Sequence, residues 1–366
     1  MAMKVANSID LGPALRGGIT HFAVNQNVSA SNVSKILPPD APLIRRVGRR
    51  CLRLLRPFAL PILTRLQRRI SLGIDTSQVL QQVLSTQRAM NAQLGRLEKL
   101  LQTRAISLGD EVLARSPFGW LLLPSEDLRL VAAMLETGGA LEPGTATVVQ
   151  ALLEPNDLAI DVGAHVGTLA IAMARSVAPH GRVLAVEPTP RTAKLLRRTC
   201  SLTSLEQIIQ VEEFAIGAKD GRAKLAIGAT SGHNSLLPLA EATGSVEVRI
   251  QPLDALLPAG SRPALVKIDA EGFELEVWRG MERLLREAPD LAVIIEFGPS
   301  HLLRAGVTIE AWLEALTAPG FTPWEIDEAS GTIRALRSSG LQDVFSMNLL
   351  LLRNLPSHWP RLRVAP

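Results

Sequence analysis

The 366-residue sequence contains little cysteine and lacks long apolar runs. Its two cysteines, Cys51 and Cys200, lie far apart in the chain, which argues against a disulfide framework or a cysteine-based zinc site and favours a reducing compartment. No stretch provides the roughly 20 apolar residues that a membrane-spanning helix needs. The first residues also lack the basic and then apolar pattern of a secretory signal. The sequence therefore predicts a cytoplasmic protein.

Acidic residues are missing from one segment of the chain. Residues 41–70 contain nine arginines and no Asp or Glu, and subtracting these nine charges from the net charge of +4 leaves −5 for the remainder. The segment is either a solvated or packed element or a peripheral contact with anionic lipid, and Pro57 and Pro61 favour the first interpretation because they interrupt a helix. Nucleic-acid binding is not expected, because the rest of the chain carries excess acid.

The character of the sequence changes along its length. Residues 1–40 mix Gly, Ser, Asn and Pro without periodicity, which is typical of a disordered tail. Residues 41–107 hold the basic segment and an apolar heptad pattern over 80–101, which predicts either a coiled coil that joins copies of the chain or a helix that packs on its own chain. Residues 108–366 are predicted to form the main domain.

Strands and helices alternate from residue 157 onward. The predicted strands are 158–162, 182–187, 208–214, 265–269, 291–297 and 346–353. The predicted helices are 168–177, 191–203, 274–287 and 309–316. Additional β pieces are predicted at 223–227 and 246–251, a hairpin at 112–123 and a short helix at 127–135. This alternation predicts βαβ crossovers and a largely parallel sheet.

The first candidate site follows the strand 158–162. There the sequence Asp161-Val-Gly163-Ala-His-Val-Gly167 places a carboxylate at the strand end and glycines in the turn, where ligands bind in such sheets. Dinucleotide sites prefer the closer spacing G-x-G-x-x-G, and a carboxylate before the first glycine would be an awkward neighbour for a pyrophosphate. The turn suits the zwitterionic, sulfonium-bearing end of S-adenosylmethionine better.

Two further strand ends carry acidic residues. Glu187 ends the second strand, twenty residues beyond Gly167, and is placed to accept hydrogen bonds from the two hydroxyls of an adenosine ribose. Asp269 ends a later buried strand, and Glu271 and Glu274 follow as the chain turns into a helix. Three carboxylates so close to a strand end exceed what helix capping requires, which indicates a functional cluster.

With these motifs the chain resembles the FkbM family of S-adenosylmethionine-dependent methyltransferases. The resemblance covers residues 110–353 and rests on 161–167, on 181–188, on the His-Asn-Ser sequence 233–235 and above all on Lys-Ile-Asp-Ala-Glu-Gly-Phe-Glu at 267–274. It implies an α/β, Rossmann-like methyltransferase fold with a mostly parallel seven-stranded sheet, an antiparallel last strand and helices on both faces, preceded by a helical N-terminal extension. It also implies O-methylation of a hydroxyl on a sugar, glycoconjugate or related natural product.

The resemblance implies two groups of cofactor-binding residues. Those expected at the methionine half of S-adenosylmethionine are Asp161, Gly163, Ala164, His165 and Gly167. Those expected at the adenosine half are Glu187, Pro188, Phe214 and Ala215. His165 departs from the family, which usually has Asn at that position. A family pattern ending in Trp-Glu-Pro appears here as Leu141-Glu142-Pro143, so the acid is kept and the aromatic is not. The loop with His233 and Asn234 is placed to cover the site.

An acceptor hydroxyl must lose its proton during methyl transfer, so a base is expected. Asp269 is the first candidate, followed by Glu271 and His301. A divalent metal on Asp269, Glu271 and Glu296 is an alternative that we do not favour, and no metal ligand is assigned. Two other classes stay open: a nicotinamide-dependent oxidoreductase, which the glycine spacing disfavours, and a non-catalytic scaffold or nucleotide-cofactor-binding protein that assembles through the heptad helix.

Overall fold

The computed structural model describes residues 81–93 and 105–365. The chain divides into two units, residues 1–91 and 92–366, and of the first unit the structure describes only 81–91. Helix α1 spans 81–93, and among its residues only Val83 is partly buried. The predicted tail 1–40, the arginine segment 41–70 and the rest of the heptad pattern, at 80 and 94–101, lie outside the described residues. The coiled coil and the division at residue 107 therefore stay predictions.

The second unit alternates strands and helices. Its strands are β1 (Ala105–Ser107), β2 (Glu111–Ser116), β3 (Gly119–Pro124), β4 (Leu158–Val162), β5 (Arg182–Val186), β6 (Ile209–Glu212), β7 (Ala215–Ile216), β8 (Gly221–Ile227), β9 (Gly244–Gln251), β10 (Leu265–Ile268), β11 (Ala292–Phe297), β12 (Thr322–Ile326), β13 (Ile333–Ala335) and β14 (Met347–Leu352). Its helices are α2 (Leu128–Glu136), α3 (Pro143–Leu152), α4 (Thr168–Val177), α5 (Pro190–Leu202), α6 (Leu253–Leu256), α7 (Glu274–Arg279), α8 (Glu282–Glu287), α9 (Pro299–Ala305) and α10 (Ile309–Thr317).

The central sheet has eight strands in the order β13-β12-β14-β11-β10-β4-β5-β6. Strands β4, β5, β6, β10 and β11 pair in parallel, whereas β14 lies antiparallel between β11 and β12. The Rossmann-like fold with an antiparallel last strand is thereby confirmed. The expected count of seven strands is corrected to eight, because the edge strand β13 pairs with β12. With three residues, β13 is too short to produce a recognisable alternation in the sequence.

Helices cover both faces of this sheet, which explains why its strands are apolar throughout. Neighbouring residues of β4 face opposite sides: Ala159 belongs to one hydrophobic cluster and Ile160 to the other, and both are fully buried. Burial on both faces is the reason that parallel strands appear in sequence as continuous apolar runs. None of the described helices is long and apolar enough to cross a membrane.

Two small sheets flank the central one. Strands β1, β2 and β3 form an antiparallel sheet that contains the predicted hairpin 112–123 and one further strand. Strands β7, β9 and β8 form the other, in which β8 and β9 are the predicted β pieces joined as an antiparallel hairpin. The chain between β8 and β9 returns to the carboxyl edge of the central sheet, where it contributes to the site.

The predicted helix 274–287 is wrong as a single element. It is two helices, α7 and α8, which are separated at Gly280 and Met281. A Cβ atom on Gly280 would lie 2.2 Å from the carbonyl oxygen of Gly217. A glycine is therefore required at this position by a close backbone approach.

Candidate active site

The carboxyl ends of β4, β5 and β10 open into a cleft with a volume of about 140 Å³. All but two of the site residues expected from the sequence line this cleft, and the two that do not are Gly167 and His301. Parallel pairing explains the convergence, because β4 lies between β5 and β10 and their ends share one edge of the sheet.

Asp161 lies at the inner end of the cleft. Its side chain is buried with a relative exposure of 1%, and its Oδ1 has no hydrogen-bond partner among the described residues. Burial raises the pKa of Asp161; with the opposing effect of Lys267 and the supporting effects of the Glu142, Asp269 and Glu187 carboxyls included, it stands at about 7. A buried acceptor without a partner is costly to the folded protein, so it calls for a ligand that donates.

The turn after β4 is shaped by close backbone packing. Gly163 has φ +80°, and a Cβ atom there would lie 1.7 Å from the carbonyl oxygen of Asp269. Gly167 has φ +93°, and its Cβ would meet the Leu196 side chain at 2.3 Å. Gly163 thus lets two strand ends approach each other at the cleft, whereas Gly167 lets α4 pack against α5 behind it.

Glu187 organises the second strand end. Its Oε2 accepts a hydrogen bond from the His165 backbone N–H at 2.9 Å, and its Oε1 accepts one from the Thr189 N–H at 2.8 Å and lies 2.8 Å from the Thr192 hydroxyl. The protein already uses most of the acceptor positions of this carboxylate, and one further position is left on Oε2. The bond from His165 could not be predicted from the sequence, because this turn residue precedes Glu187 by 22 positions.

An apolar wall follows Glu187 and Pro188 along the cleft. Phe214 and Ala215 are buried there, and Ile216 and Leu225 lie beside them. Such a surface next to a carboxylate that binds hydroxyls can hold a flat, apolar ring face such as adenine.

Lys267 is one of the residues to which the sequence motifs assigned no role. It is 3% exposed, and its Nζ lies 2.7 Å from Oδ2 of Asp269. Burial alone would lower the pKa of Lys267, but Asp269, Glu142 and Asp161 together raise it above its ordinary value, so the ammonium is charged. The sequence did contain an indication of this role, because Lys267 stands in the otherwise apolar strand β10. Lysine is almost never fully buried unless it is paired with an acidic group.

Several carboxyls lie close to Asp269 at the carboxyl end of β10. Burial alone would raise the pKa of Asp269, but Lys267 holds it below its usual value. Burial, together with Asp269 and Glu274, raises the pKa of Glu271 to about 8, and burial also raises the pKa of Glu296 well above its ordinary range. Asp269 is therefore the ionised member of a group whose neighbours retain protons at neutral pH.

His301 lies behind this group and does not line the cleft. Its Nε2 is 3.4 Å from Glu271 Oε2 and its Nδ1 is 3.5 Å from Glu296 Oε2. Burial lowers the pKa of His301, assisted by Arg304. Oxygen atoms of Asp269, Glu271 and Glu296 approach within 4.8 Å of one another, a donor set that a divalent cation can use.

Sequence comparison identifies the domain that holds these residues. Residues 161–323 match the family described as Methyltransferase FkbM domain. The chain carries an FkbM methyltransferase domain. The matched region begins at Asp161 and includes the three strand-end motifs, while Leu141 and Glu142 line the cleft from outside it.

A curated relative of the FkbM domain is Methyltransferase 1 of Beauveria bassiana (strain ARSEF 2860). It is 27% identical over 145 residues, which cover 34% of this chain and 57% of that protein. The chain thus spans just over half the length of the curated relative that it matches.

Solved structures similar to the chain include three O-methyltransferases. One is the Bacillus cereus enzyme in complex with SAH, at 14% identity, 63% and 91% coverage of the two chains and a TM-score of 0.36. Another is the S-adenosylmethionine-dependent enzyme of Thermotoga maritima, at 11% identity, 72% and 87% coverage and a TM-score of 0.34. The third is TomG of Streptomyces achromogenes in complex with SAM, at 12% identity, 63% and 90% coverage and a TM-score of 0.36.

Proposed function

We propose that the chain transfers the methyl group of S-adenosylmethionine to a hydroxyl of a sugar, a glycoconjugate or a related natural product. The observation that carries the proposal is the unpartnered Oδ1 of Asp161 at the inner end of the cleft. The α-ammonium group of S-adenosylmethionine donates hydrogen bonds and is positively charged, so it matches this buried carboxylate.

The charge of the cleft supports the same cofactor. Asp161, Glu142 and Asp269 surround Lys267, which is the only lysine or arginine among the described residues that line the cleft. A cofactor with a sulfonium and an ammonium group stabilises the ionised forms of these carboxyls, whereas the pyrophosphate of NAD opposes their ionisation. The free acceptor position of Glu187 suits a ribose hydroxyl, and Phe214 and Ala215 suit the adenine ring.

The residues at the carboxyl end of β10 determine the chemistry at the acceptor hydroxyl. When bound, S-adenosylmethionine supplies an electrophilic methyl carbon, which forms a bond to the acceptor oxygen as its bond to sulfur breaks and S-adenosylhomocysteine is left. Asp269, which Lys267 keeps ionised, receives the proton of the acceptor hydroxyl. Glu271, with its pKa at about 8, orients the acceptor by donating a hydrogen bond. His301 acts through Glu271 as a positioning residue, because it touches Glu271 and not the cleft.

We propose a reaction that needs no metal ion, because Lys267 already compensates the ionised Asp269 and the neighbouring carboxyls retain their protons. Methyl transfer that is unchanged in a chelator is the expected result. Activity that is lost in the chelator and restored by magnesium would assign Asp269, Glu271 and Glu296 to a cation instead.

The remaining expectations concern the N-terminal part of the chain, of which the structure describes 81–93, and the location of the enzyme. We propose that the heptad region 80–101 joins copies of the chain and that the enzyme works in the cytoplasm. A peripheral membrane contact through 41–70 is the less favoured proposal. Light scattering of the full chain and of residues 105–366 tests the first, and cosedimentation with anionic vesicles, with and without 41–70, tests the last.

Isothermal titration calorimetry of the purified chain with S-adenosylmethionine and with NAD tests the cofactor. Binding of S-adenosylmethionine alone is expected. Binding of NAD alone would favour the oxidoreductase, and binding of neither would leave the scaffold. Incubation with S-adenosylmethionine and a panel of sugar hydroxyl acceptors, followed by mass spectrometry for an added methyl group, then tests the acceptor class.

A further inference from the structure

A short segment between β8 and β9 closes one side of the cleft. We call residues 230–235 the strap; it contains a single turn of 3-10 helix at Ser231–His233. Ser231, Gly232 and Asn234 of the strap line the cleft together with the strand-end residues. A ligand in the cleft therefore contacts the strap as well as the sheet edge.

Side-chain hydrogen bonds tie the strap to the loops after β5 and β10. The Asn234 side-chain amide donates to the Thr189 hydroxyl at 3.1 Å, beside Glu187. The Ser235 hydroxyl donates to the Glu271 carbonyl oxygen at 2.7 Å, and Ser235 is itself 1% exposed. The carboxyl-terminal half of the strap is thus held at two strand ends.

The amino-terminal half of the strap is held by a chain of three side chains. The Ser231 hydroxyl lies 2.6 Å from Asp127 Oδ2 and 2.7 Å from His165 Nε2, and the Ser231 N–H also donates to Asp127 Oδ2 at 2.6 Å. Asp127 is fixed in turn, because its Oδ1 accepts from the Leu130 N–H and caps α2. Asp127 and His165 come from the two sides of the strap and meet at one hydroxyl.

The protonation states of Asp127 and Ser231 determine which atom donates each of these hydrogen bonds. Burial alone would raise the pKa of Asp127, but the hydrogen bonds from Ser231 and Leu130 hold it below its usual value, so Asp127 is a carboxylate that only accepts. The single hydroxyl proton of Ser231 then goes to Asp127, and Nε2 of His165 must donate to Ser231. Burial lowers the pKa of His165. The neutral ring that carries its proton on Nε2 satisfies this arrangement.

The same histidine is bonded to the cofactor side of the cleft. Its backbone has φ +51°, and its N–H donates to Glu187 Oε2 at 2.9 Å. His165 therefore links two parts of the site. Its ring is bonded to the strap, and its backbone N–H is bonded to the carboxylate that we assign to the ribose. A side chain as short as Asn could not bridge from this backbone position to Ser231, because its amide nitrogen ends one atom nearer the main chain than Nε2.

We propose that His165, Ser231 and Asp127 form a latch that holds the strap over the bound cofactor, with His165 as a positioning residue for cofactor binding. The link to the cofactor rests on the proposed function. The existence of the latch rests on the geometry alone, so the two can be tested separately.

Hydrogen exchange followed by mass spectrometry tests the latch in the ligand-free full chain. In His165→Asn and in Ser231→Ala, the peptide that covers the strap is expected to exchange faster than in the wild type. Ser231→Thr keeps the hydroxyl and is expected to restore protection. His180→Asn and Ser245→Ala are matched controls at exposed positions. Strap exchange that is unchanged in both latch variants would overturn the latch.

Calorimetry with S-adenosylhomocysteine tests the link to the cofactor and needs no acceptor. His165→Asn is expected to raise the dissociation constant about fivefold, as loss of one hydrogen bond does, and Ser231→Ala by at least as much, because it also removes the bond to Asp127. The double variant His165→Asn/Ser231→Ala is expected to be no worse than Ser231→Ala, because that change already removes the bond to His165. Wild-type binding with unchanged affinity in the variants would overturn the positioning role. Absence of wild-type binding would instead refute the proposed function, and hydrogen exchange would still decide the latch.

Discussion

Asp161 combines two properties that a structural carboxylate would not have: it is buried, and one of its oxygens is unpartnered among the described residues. Asp161→Asn keeps the shape of the side chain but removes the charge available to an ammonium group. We expect the dissociation constant of S-adenosylhomocysteine to rise by about ten- to a hundredfold, the range for a hydrogen bond to a charged group. Calorimetry measures it.

The stability of the same variant separates binding from folding. Since burial raises the pKa of Asp161 to about 7, ionising it in the ligand-free protein is unfavourable, and the amide removes that cost. The free energy of unfolding at pH 8 is therefore expected not to fall. Asp220→Asn, at an exposed turn, is the matched control. Unchanged affinity in Asp161→Asn would exclude Asp161 from the cofactor site.

The residues that sequence reasoning could find are those whose role follows from position on a strand. Asp161, Glu187 and Asp269 end parallel strands, and strand ends meet at one edge whatever the loops do. Ser231 and Asp127 could not be found in this way, because 104 positions separate them and their contact depends on how the strap folds back. Lys267 stood in a motif, yet only its burial among three carboxylates revealed its electrostatic role.

The turn between β4 and α4 depends on a glycine for both its conformation and its neighbours. In Gly163→Ala, the new Cβ would meet the carbonyl oxygen of Asp269 at 1.7 Å, at a residue with φ +80°. Backbone atoms cannot rotate away as a side chain can, so the ends of β4 and β10 must separate. We expect a loss of at least about 1 kcal/mol in the free energy of unfolding, measured in urea, and weaker binding of S-adenosylhomocysteine.

Gly221→Ala provides the comparison for this variant. Gly221 begins β8, and nothing lies within 4 Å of the position that its Cβ would occupy. Its stability and binding are expected to match the wild type. Equal effects at Gly163 and Gly221 would mean that crowding against Asp269 does not control the turn.

The small sheet β1-β2-β3 is joined to the main domain by a buried hydrogen bond. The Leu122 N–H on β3 donates to the Thr199 hydroxyl on α5 at 3.0 Å. Thr199→Val keeps the shape but leaves this N–H without an acceptor, which is expected to cost about 1–3 kcal/mol in the free energy of unfolding. Urea unfolding measures it. Thr137→Val, on an exposed residue, is the control, and a loss no larger than in that control would contradict the prediction.

At the scale of elements, periodicity located the elements that are long or uniformly buried. Strand 158–162 and helix 168–177 coincide with β4 and α4. Helix 274–287 is two helices, and the break between them falls at Gly280, where the carbonyl of Gly217 leaves no room for a side chain; that close approach could not be predicted from the local sequence. The sequence also could not predict where the small sheet packs on α5. That position depends on a contact between segments 77 positions apart.

Across the whole molecule, buried acidic residues are concentrated at the carboxyl end of the central sheet. The charge of the chain outside residues 41–70 is −5, and buried carboxyls converge where β4, β10 and β11 end. Burial raises the pKa of Asp161 and Glu274 to about 7 and that of Glu271 to about 8. Folding of the ligand-free protein therefore binds protons, and its stability must depend on pH.

Whether stability rises or falls with pH depends on whether the folded or the unfolded state binds more protons. Between the ordinary carboxyl values and about pH 8, the folded protein keeps protons on Asp161, Glu271 and Glu274 that the unfolded chain has released, so the free energy of unfolding falls as pH rises. The lowered pKa values of His165 and His301 act in the opposite sense, but only up to the ordinary histidine value of 6.5. The lowered pKa of Asp269 matters only below its ordinary value of 3.8.

Urea unfolding of the ligand-free chain should therefore show stability that decreases from pH 6.5 to about 8, by about 1 kcal/mol or more. Glu271→Gln removes a carboxyl whose pKa of about 8 lies in this window and is expected to flatten the decrease, whereas Glu241→Gln, at an exposed position, should leave it as in the wild type. A saturating cofactor that pairs with Asp161 must lower the pKa of that carboxyl, so the bound protein should lose less stability over the same range. Stability that does not fall with pH across this window would mean that the carboxyls are ionised in the folded state, and the acidic cleft would then need a compensating cation.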